Sequence, residues 1–107
     1  MSSSTSINTF LKAARDGNEE TVLSLLNRNE VNVNDKNING VTALIYAASY
    51  NHERIVSLLI DRGADINSKD NIGDTALDFA KRNNYQNIIS IIRNKVEAQV
   101  NIYFFNS

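Results

Sequence analysis

Apolar residues along the chain recur in two alternating patterns. Segments 9–16, 42–50 and 75–82 place small and apolar residues, such as Leu44, Ala47 and Ala48, at helical spacing. Each is followed by a second segment, at 19–28, 53–62 and 86–93. In these the apolar residues fall at i, i+1, i+3 and i+4, as in Ile55, Val56, Leu58 and Leu59, which is one face of a helix. Threonine opens each first segment (Thr9, Thr42, Thr75) and suits an N-cap, because its hydroxyl can accept from an unpaired amide of the first turn. Thr75-Ala-Leu-Asp78 reads as a capping box with Asp in place of the preferred Glu. Asn18, Asn51 and Asn84 are placed to end the first helix of each pair, since asparagine tolerates the left-handed conformation found there. Gly63 is placed to end the second helix of the middle pair. The polar stretch from Ala64 to Gly73 is too long for a tight helix–helix link, and its alternation and glycine predict an extended, hairpin-like excursion.

Matched against itself, the chain has one dominant offset of 33 residues, read without insertion or deletion. It aligns Thr9 with Thr42 and Thr75, Leu11 with Leu44 and Leu77, Ala14 with Ala47 and Ala80, and Asn18 with Asn51 and Asn84. Val22, Ile55 and Ile88 align further on, as do Leu25, Leu58 and Ile91, and Leu26, Leu59 and Ile92. Helix, turn, helix and hairpin at this period resembles the ankyrin repeat. In the middle copy the resemblance is carried by Gly40-Val-Thr-Ala-Leu-Ile-Tyr-Ala-Ala48, Asn51-His-Glu-Arg-Ile-Val-Ser-Leu-Leu59 and Gly63-Ala-Asp-Ile-Asn67.

The resemblance implies an all-α solenoid of three stacked helix-turn-helix units joined by hairpin-like loops. Helix pairs of this kind bury their apolar faces only against one another, so the apolar columns are assigned to packing. Two departures stand out: the family's Thr-Pro-Leu-His reads Thr42-Ala-Leu-Ile45 and Thr75-Ala-Leu-Asp78 here. Losing proline removes a preorganised first turn, and losing histidine removes a side chain that ties neighbouring repeats in the family. A less stable array with the same fold is expected.

Composition narrows the function more than it defines it. The formal charge of −1 over 107 residues, with no Lys/Arg run, argues against direct nucleic-acid binding, which draws on phosphate neutralisation. The absence of cysteine removes disulfides, thiolate nucleophiles and Cys-based zinc sites. His52 is the one histidine, so a nucleophile–His pair or a transition-metal site has no partner residue, and a local packing and hydrogen-bonding role is expected for it. Asp61, Asp65 and Asp70 lack calcium-loop spacing, and Gly40, Gly63 and Gly73 fit turns at the repeat period rather than a phosphate cradle. No catalytic, cofactor-binding or metal residue is assigned, and no enzyme activity is expected. No stretch approaches the ~20 apolar residues that span a bilayer, and the first residues carry no secretory-signal pattern. The expected location is the cytoplasm, with the nucleus or signal-independent export to a host cell as alternatives.

What the resemblance implies is protein–protein recognition on a concave face built from hairpin tips and the outer faces of the first helices. It maps the variable contact positions onto Ile38, Asn39, Val41, Ser49 and Tyr50 in the middle copy, and onto Lys69, Asn71, Ile72, Asp74, Arg82 and Asn83 in the third. Tyr50 is the expected anchor, since aromatics give large contact area at low rotamer cost. It also marks Asn67 as a candidate for asparaginyl hydroxylation. The expected organisation is a disordered tail over residues 1–6, an array over 7–94 with repeats at about 7–36, 37–69 and 70–94, and a helix extension with an aromatic tail over 95–107. Val100, Ile102, Tyr103, Phe104 and Phe105 make a poor polar cap. Three roles stay open for that tail: folding back as an improvised cap, docking on another copy or partner, or belonging to a longer repeat protein. A monomer acting as adaptor or scaffold is the leading expectation. An inhibitor or regulator of an enzyme and a self-assembling structural element are the alternatives.

Overall fold

Two layers of helices, built in three successive pairs, make up the molecule. The computed structural model describes the backbone of residues 2–106 and the side chains of residues 2–98. The first helices, α1 (Ser4–Asp16), α3 (Ala43–Ser49) and α5 (Ala76–Arg82), stack on one another in chain order. The second helices, α2 (Glu19–Asn27), α4 (Glu53–Asp61) and α6 (Gln86–Asn106), form the layer behind them. No strand occurs among the described residues; one antiparallel bridge, Lys36 with Thr42, marks the neck of the first hairpin. The fold is the all-α repeat expected.

The core lies where consecutive pairs meet. Phe10, Ala14, Val22, Ala43, Leu44, Ala47, Ala48, Val56, Leu59, Ala80 and Ile88 are all closed to solvent, with alanines where backbones approach and larger residues between the layers. Of the leucine column named above, Leu11 and Leu44 are buried and Leu77 is half-buried against the same core.

The internal register differs from the 33-residue self-match in the first copy. In each pair the first helix ends with one residue at positive φ, and the next amide bonds back to a carbonyl five residues earlier. The positive-φ residues are Gly17 (82°), Asn51 (63°) and Asn84 (59°). The returning bonds are Asn18 N–H to Ala13 O, His52 N–H to Ala47 O and Tyr85 N–H to Ala80 O, at 2.8, 2.9 and 2.9 Å. Ala13, Ala47 and Ala80 are therefore equivalent, 34 residues apart and then 33. The ends of α2 and α4 keep the longer step, with Asn29 and Gly63 at positive φ. The loops that follow return to 33, because Asn34 and Asn67 donate their amides to Asn32 Oδ1 and Asp65 Oδ1 in the same way, both at 2.9 Å. Glu30 N–H and Ala64 N–H still bond alike to Leu25 O and Leu59 O, so the first copy carries one extra residue at Val31, and the gapless alignment is corrected to one with a single insertion.

Two expectations change with the register. Gly17, not Asn18, terminates α1, because glycine enters the left-handed region without a Cβ penalty. Asn18 instead caps α2, its side chain accepting from Thr21 N–H at 3.2 Å. Thr9 is likewise no cap: it lies inside α1 and its hydroxyl donates to the Thr5 carbonyl at 2.9 Å. The cap is Ser3, accepting from Ser6 N–H at 3.0 Å, so Ser4, Thr5 and Ser6 are helical where the composition predicts a disordered tail. Thr42 and Thr75 cap α3 and α5 as expected.

The corrected register shows how both ends of the stack are finished. Thr9, Lys12 and Thr21 stand where the later copies have Ala43, Tyr46, Ile55 and then Ala76, Phe79, Ile88, all buried or half-buried. At the other end Asp78, Lys81 and Arg93 stand where the earlier copies have Leu11, Ala14, Leu26 and then Ile45, Ala48, Ile60. Columns that are apolar wherever a neighbour covers them turn polar on the first and last faces, as capping repeats require. The helix backbone of α6 runs on to Asn106. The aromatic tail, Val100 to Phe105, lies outside the described side chains, as does the role expected of it.

Asp78 does double duty at this edge. It closes the capping box with Thr75, accepting from Thr75 N–H at 2.9 Å while Thr75 Oγ1 accepts from Asp78 N–H at 3.2 Å. The bond from the Thr75 backbone, more than the nearby Arg82 and Lys81, lowers its pKa below the usual 3.8. A depressed carboxylate stabilises the fold when ionised, and that contribution fades as pH falls through the folded-state value. The melting-temperature gap between wild type and Asp78→Ala is therefore expected to be fully open at pH 7 and to close as pH drops below about 4. A gap that stays open and constant from pH 7 to pH 2 would show that the contribution of Asp78 does not depend on its ionised carboxylate.

Candidate recognition face

Each hairpin is tied by one side chain at its neck. Asn37 Oδ1 accepts from the amides of Asn39 and Val41, both at 3.0 Å, while its Nδ2 donates to the Tyr46 hydroxyl of α3 at 3.1 Å. Asp70 Oδ1 accepts three amides, those of Ile72, Gly73 and Asp74, at 3.0, 3.0 and 2.9 Å. Asx residues favour such turns because the side chain mimics a backbone carbonyl. The glycine three positions on takes positive φ in both cases (Gly40, 76°; Gly73, 99°).

The two hairpins are also joined to each other. Asn71 donates its backbone N–H to the Asn39 carbonyl and its side-chain Nδ2 to the Ile38 carbonyl, both at 2.9 Å. Gly40 is buried beneath this junction: a Cβ there would lie 3.0 Å from Asn71 N and 3.2 Å from Asp70 Cα. Lower down, Asn34 Oδ1 accepts from Asp65 N–H at 2.8 Å. The opposite side of the stack is laced in the same manner by Arg62 with Asn27 and by Asn87 with Glu53, each at 2.9 Å. His52 Nε2 lies 2.7 Å from the Arg15 carbonyl oxygen, to which it donates in its Nε2-protonated form. These bonds join successive copies of the repeat, which the sequence did not disclose.

On this braced ridge two large apolar side chains face water almost without cover, Ile38 at 92% and Ile72 at 87% exposure. Tyr50, at the end of α3, is 55% exposed. Asn39, Asn71 and Lys69 are exposed around them and Val41 is half-buried at the base of the first hairpin. The remaining positions are already engaged within the molecule. Asp74 and Arg82 pair at 2.9 Å, an interaction that keeps the Arg82 guanidinium charged and lays it 5.2 Å above the Phe79 ring. Ser49 Oγ donates to the Ile45 carbonyl at 2.7 Å and Asn83 Nδ2 to the Phe79 carbonyl at 2.9 Å. Ile38, Asn39, Asn71 and Ile72 therefore come together as one surface, while Ser49 and Asn83 are turned into their own helices. Sequence reading passed over Asn37 and Asp70, the residues that hold the ridge; their signal is an Asx three positions before a glycine at the repeat period.

Asn67 is exposed in the loop after α4. A cleft of about 310 Å³ beside His52 is lined by Gly17, Glu19, Asn51 and Glu53, and the imidazole in it is held by the Arg15 carbonyl. Among the described residues no cluster of His, Asp or Glu could hold a metal ion. None of their helices is long and apolar enough to cross a membrane.

Against known families, a model described as ankyrin repeats in three copies matches residues 10–103. No curated protein matches the chain.

Proposed function

Because this chain belongs to the ankyrin-repeat family, whose members generally serve as protein-interaction modules, we propose that it binds another protein through the joined hairpin tips and the exposed end of α3. It acts there as an adaptor or scaffold. The observation that carries the reading is the pair Ile38 and Ile72, open to water on a ridge that hydrogen bonds hold in one shape. Covering an isoleucine contributes roughly 1.5–3 kcal/mol, and a surface ordered beforehand loses little entropy on binding. The fold itself gains nothing from either side chain.

Tyr50 extends the surface toward α3 and offers an aromatic anchor. A partner recovered by cross-linking is expected to bind at least tenfold more weakly, about 1.4 kcal/mol, when Tyr50→Ala is combined with Ile38→Ser. The thermal melt should stay unchanged, since neither residue is in the core. Unaltered affinity in a folded double variant would sink this assignment.

A further inference from the structure

Resting on that reading of the ridge, we propose that its occupant is a short acidic peptide segment bearing two apolar side chains, rather than a second folded surface. Three observations lead there. The first is charge sorted by reach. The carboxylates nearest the tips are engaged within the molecule: Asp35 accepts from Asn32 N–H, Asp70 takes three amides, and Asp74 holds Arg82. Lys36 and Lys69 occupy the same place on the two stems, are exposed, and make no ion pair among the described residues. Although the formal charges of these five residues and Arg82 cancel, the groups projecting toward an approaching partner are the two ammoniums. Lys36 stands two residues before Ile38, at the neck of the hairpin whose turn carries that isoleucine.

The second observation is area. Two isoleucines and a half-exposed tyrosine offer about 200–400 Å², below the roughly 600–1,000 Å² that each partner contributes to a stable interface between folded proteins. A short peptide held weakly by two or three side chains matches a patch of that size, since weak, transient contacts lie at the small end of the range. The third concerns a second copy of this chain. A symmetric pairing through the tips would bring Lys36 and Lys69 of both copies together, and like charges across an interface oppose association.

Fluorescence anisotropy with the full chain and synthetic fourteen-residue peptides tests this. One set carries two leucines three, four or seven positions apart among glutamates; a second has the same leucines among lysines; a third has glutamates with both leucines replaced by serine. Binding is expected from the first set alone, weakened about tenfold by Ile38→Ser or by Ile72→Ser, and weakened further as salt rises. Lys36→Glu with Lys69→Glu is expected to abolish it and to admit the lysine set, an inversion that a merely structural role for these lysines would not produce. No binding by any peptide, or equal binding of the acidic and basic sets, overturns the proposal. Preference for the basic set, lost in the isoleucine variants, overturns the acidic partner but leaves the ridge as the recognition surface. Binding indifferent to every ridge variant overturns the ridge as well.

Discussion

Ile45→Asp is expected to unfold the array, although aspartate is the residue that stands in the same column of the third copy. Ile45 is 2% exposed and lies on the side of the middle pair that the third pair covers, where Ala48 and Ile60 are also buried. The substitution forfeits roughly 1.5–3 kcal/mol of apolar burial and adds a carboxyl group that must be desolvated, ionised or neutral, at several kcal/mol more. A domain of this size has about 5–15 kcal/mol in total, and stacked repeats cannot afford a broken interface when only three are present. At position 78 the same chemistry is only half-buried and closes a capping box. The reverse change, Asp78→Ile, should therefore cost no more than the box, about 0.5–2 kcal/mol. Urea titrations followed by circular dichroism compare the two directly. Were Ile45→Asp to fall within about 1 kcal/mol of wild type, the column would not be an interface, and the polar residues at 78, 81 and 93 would have to be explained some other way.

That asymmetry also marks where sequence reading succeeded and where it stopped. The helix pairs, the Thr42 and Thr75 caps, the capping box and the hairpins are local: each depends on a few consecutive residues, and each was legible. The same is true of the exposed Ile38 and Ile72, because an apolar residue in a polar loop is visible without coordinates. Register was not. The coincidental matches Thr9 with Thr42 and Asn18 with Asn51 favoured a gapless alignment, and only the positive φ of Gly17 and the returning bond to Ala13 place the first copy one residue over. Once Leu11 is matched with Ile45 rather than with Leu44, the polar outer faces become readable as caps. Bonds between copies were beyond reach for a different reason. Asn71 with Ile38, Asn34 with Asp65 and Arg62 with Asn27 join residues more than thirty positions apart, and asparagine is too common here for any one of them to look special.

Gly17 offers the sharpest test of those links between copies. A Cβ at this position would lie 2.7 Å from His52 Cε1 and 2.9 Å from Nδ1, so any side chain must displace the imidazole that reaches the Arg15 carbonyl. Alanine adds a second cost, because φ is 82° and the left-handed region penalises a Cβ by roughly 1–2 kcal/mol. Asparagine separates the two effects. It stands at the equivalent positions 51 and 84 with φ of 63° and 59°, which shows that this fold accepts it there. The remaining cost of Gly17→Asn is then the lost His52 bond, about 1–3 kcal/mol with the Arg15 carbonyl left unpartnered. His52→Ala should cost a similar amount alone. In the His52→Ala background, however, no ring remains to be pushed aside, and adding Gly17→Asn is expected to cost almost nothing further. The four proteins form a double-mutant cycle with an expected coupling of about 1–2 kcal/mol, read from urea midpoints at constant m-value. Additivity within about 0.5 kcal/mol would mean that the imidazole moves without loss, and that the His52 bond to the Arg15 carbonyl does not help to hold the first two copies together.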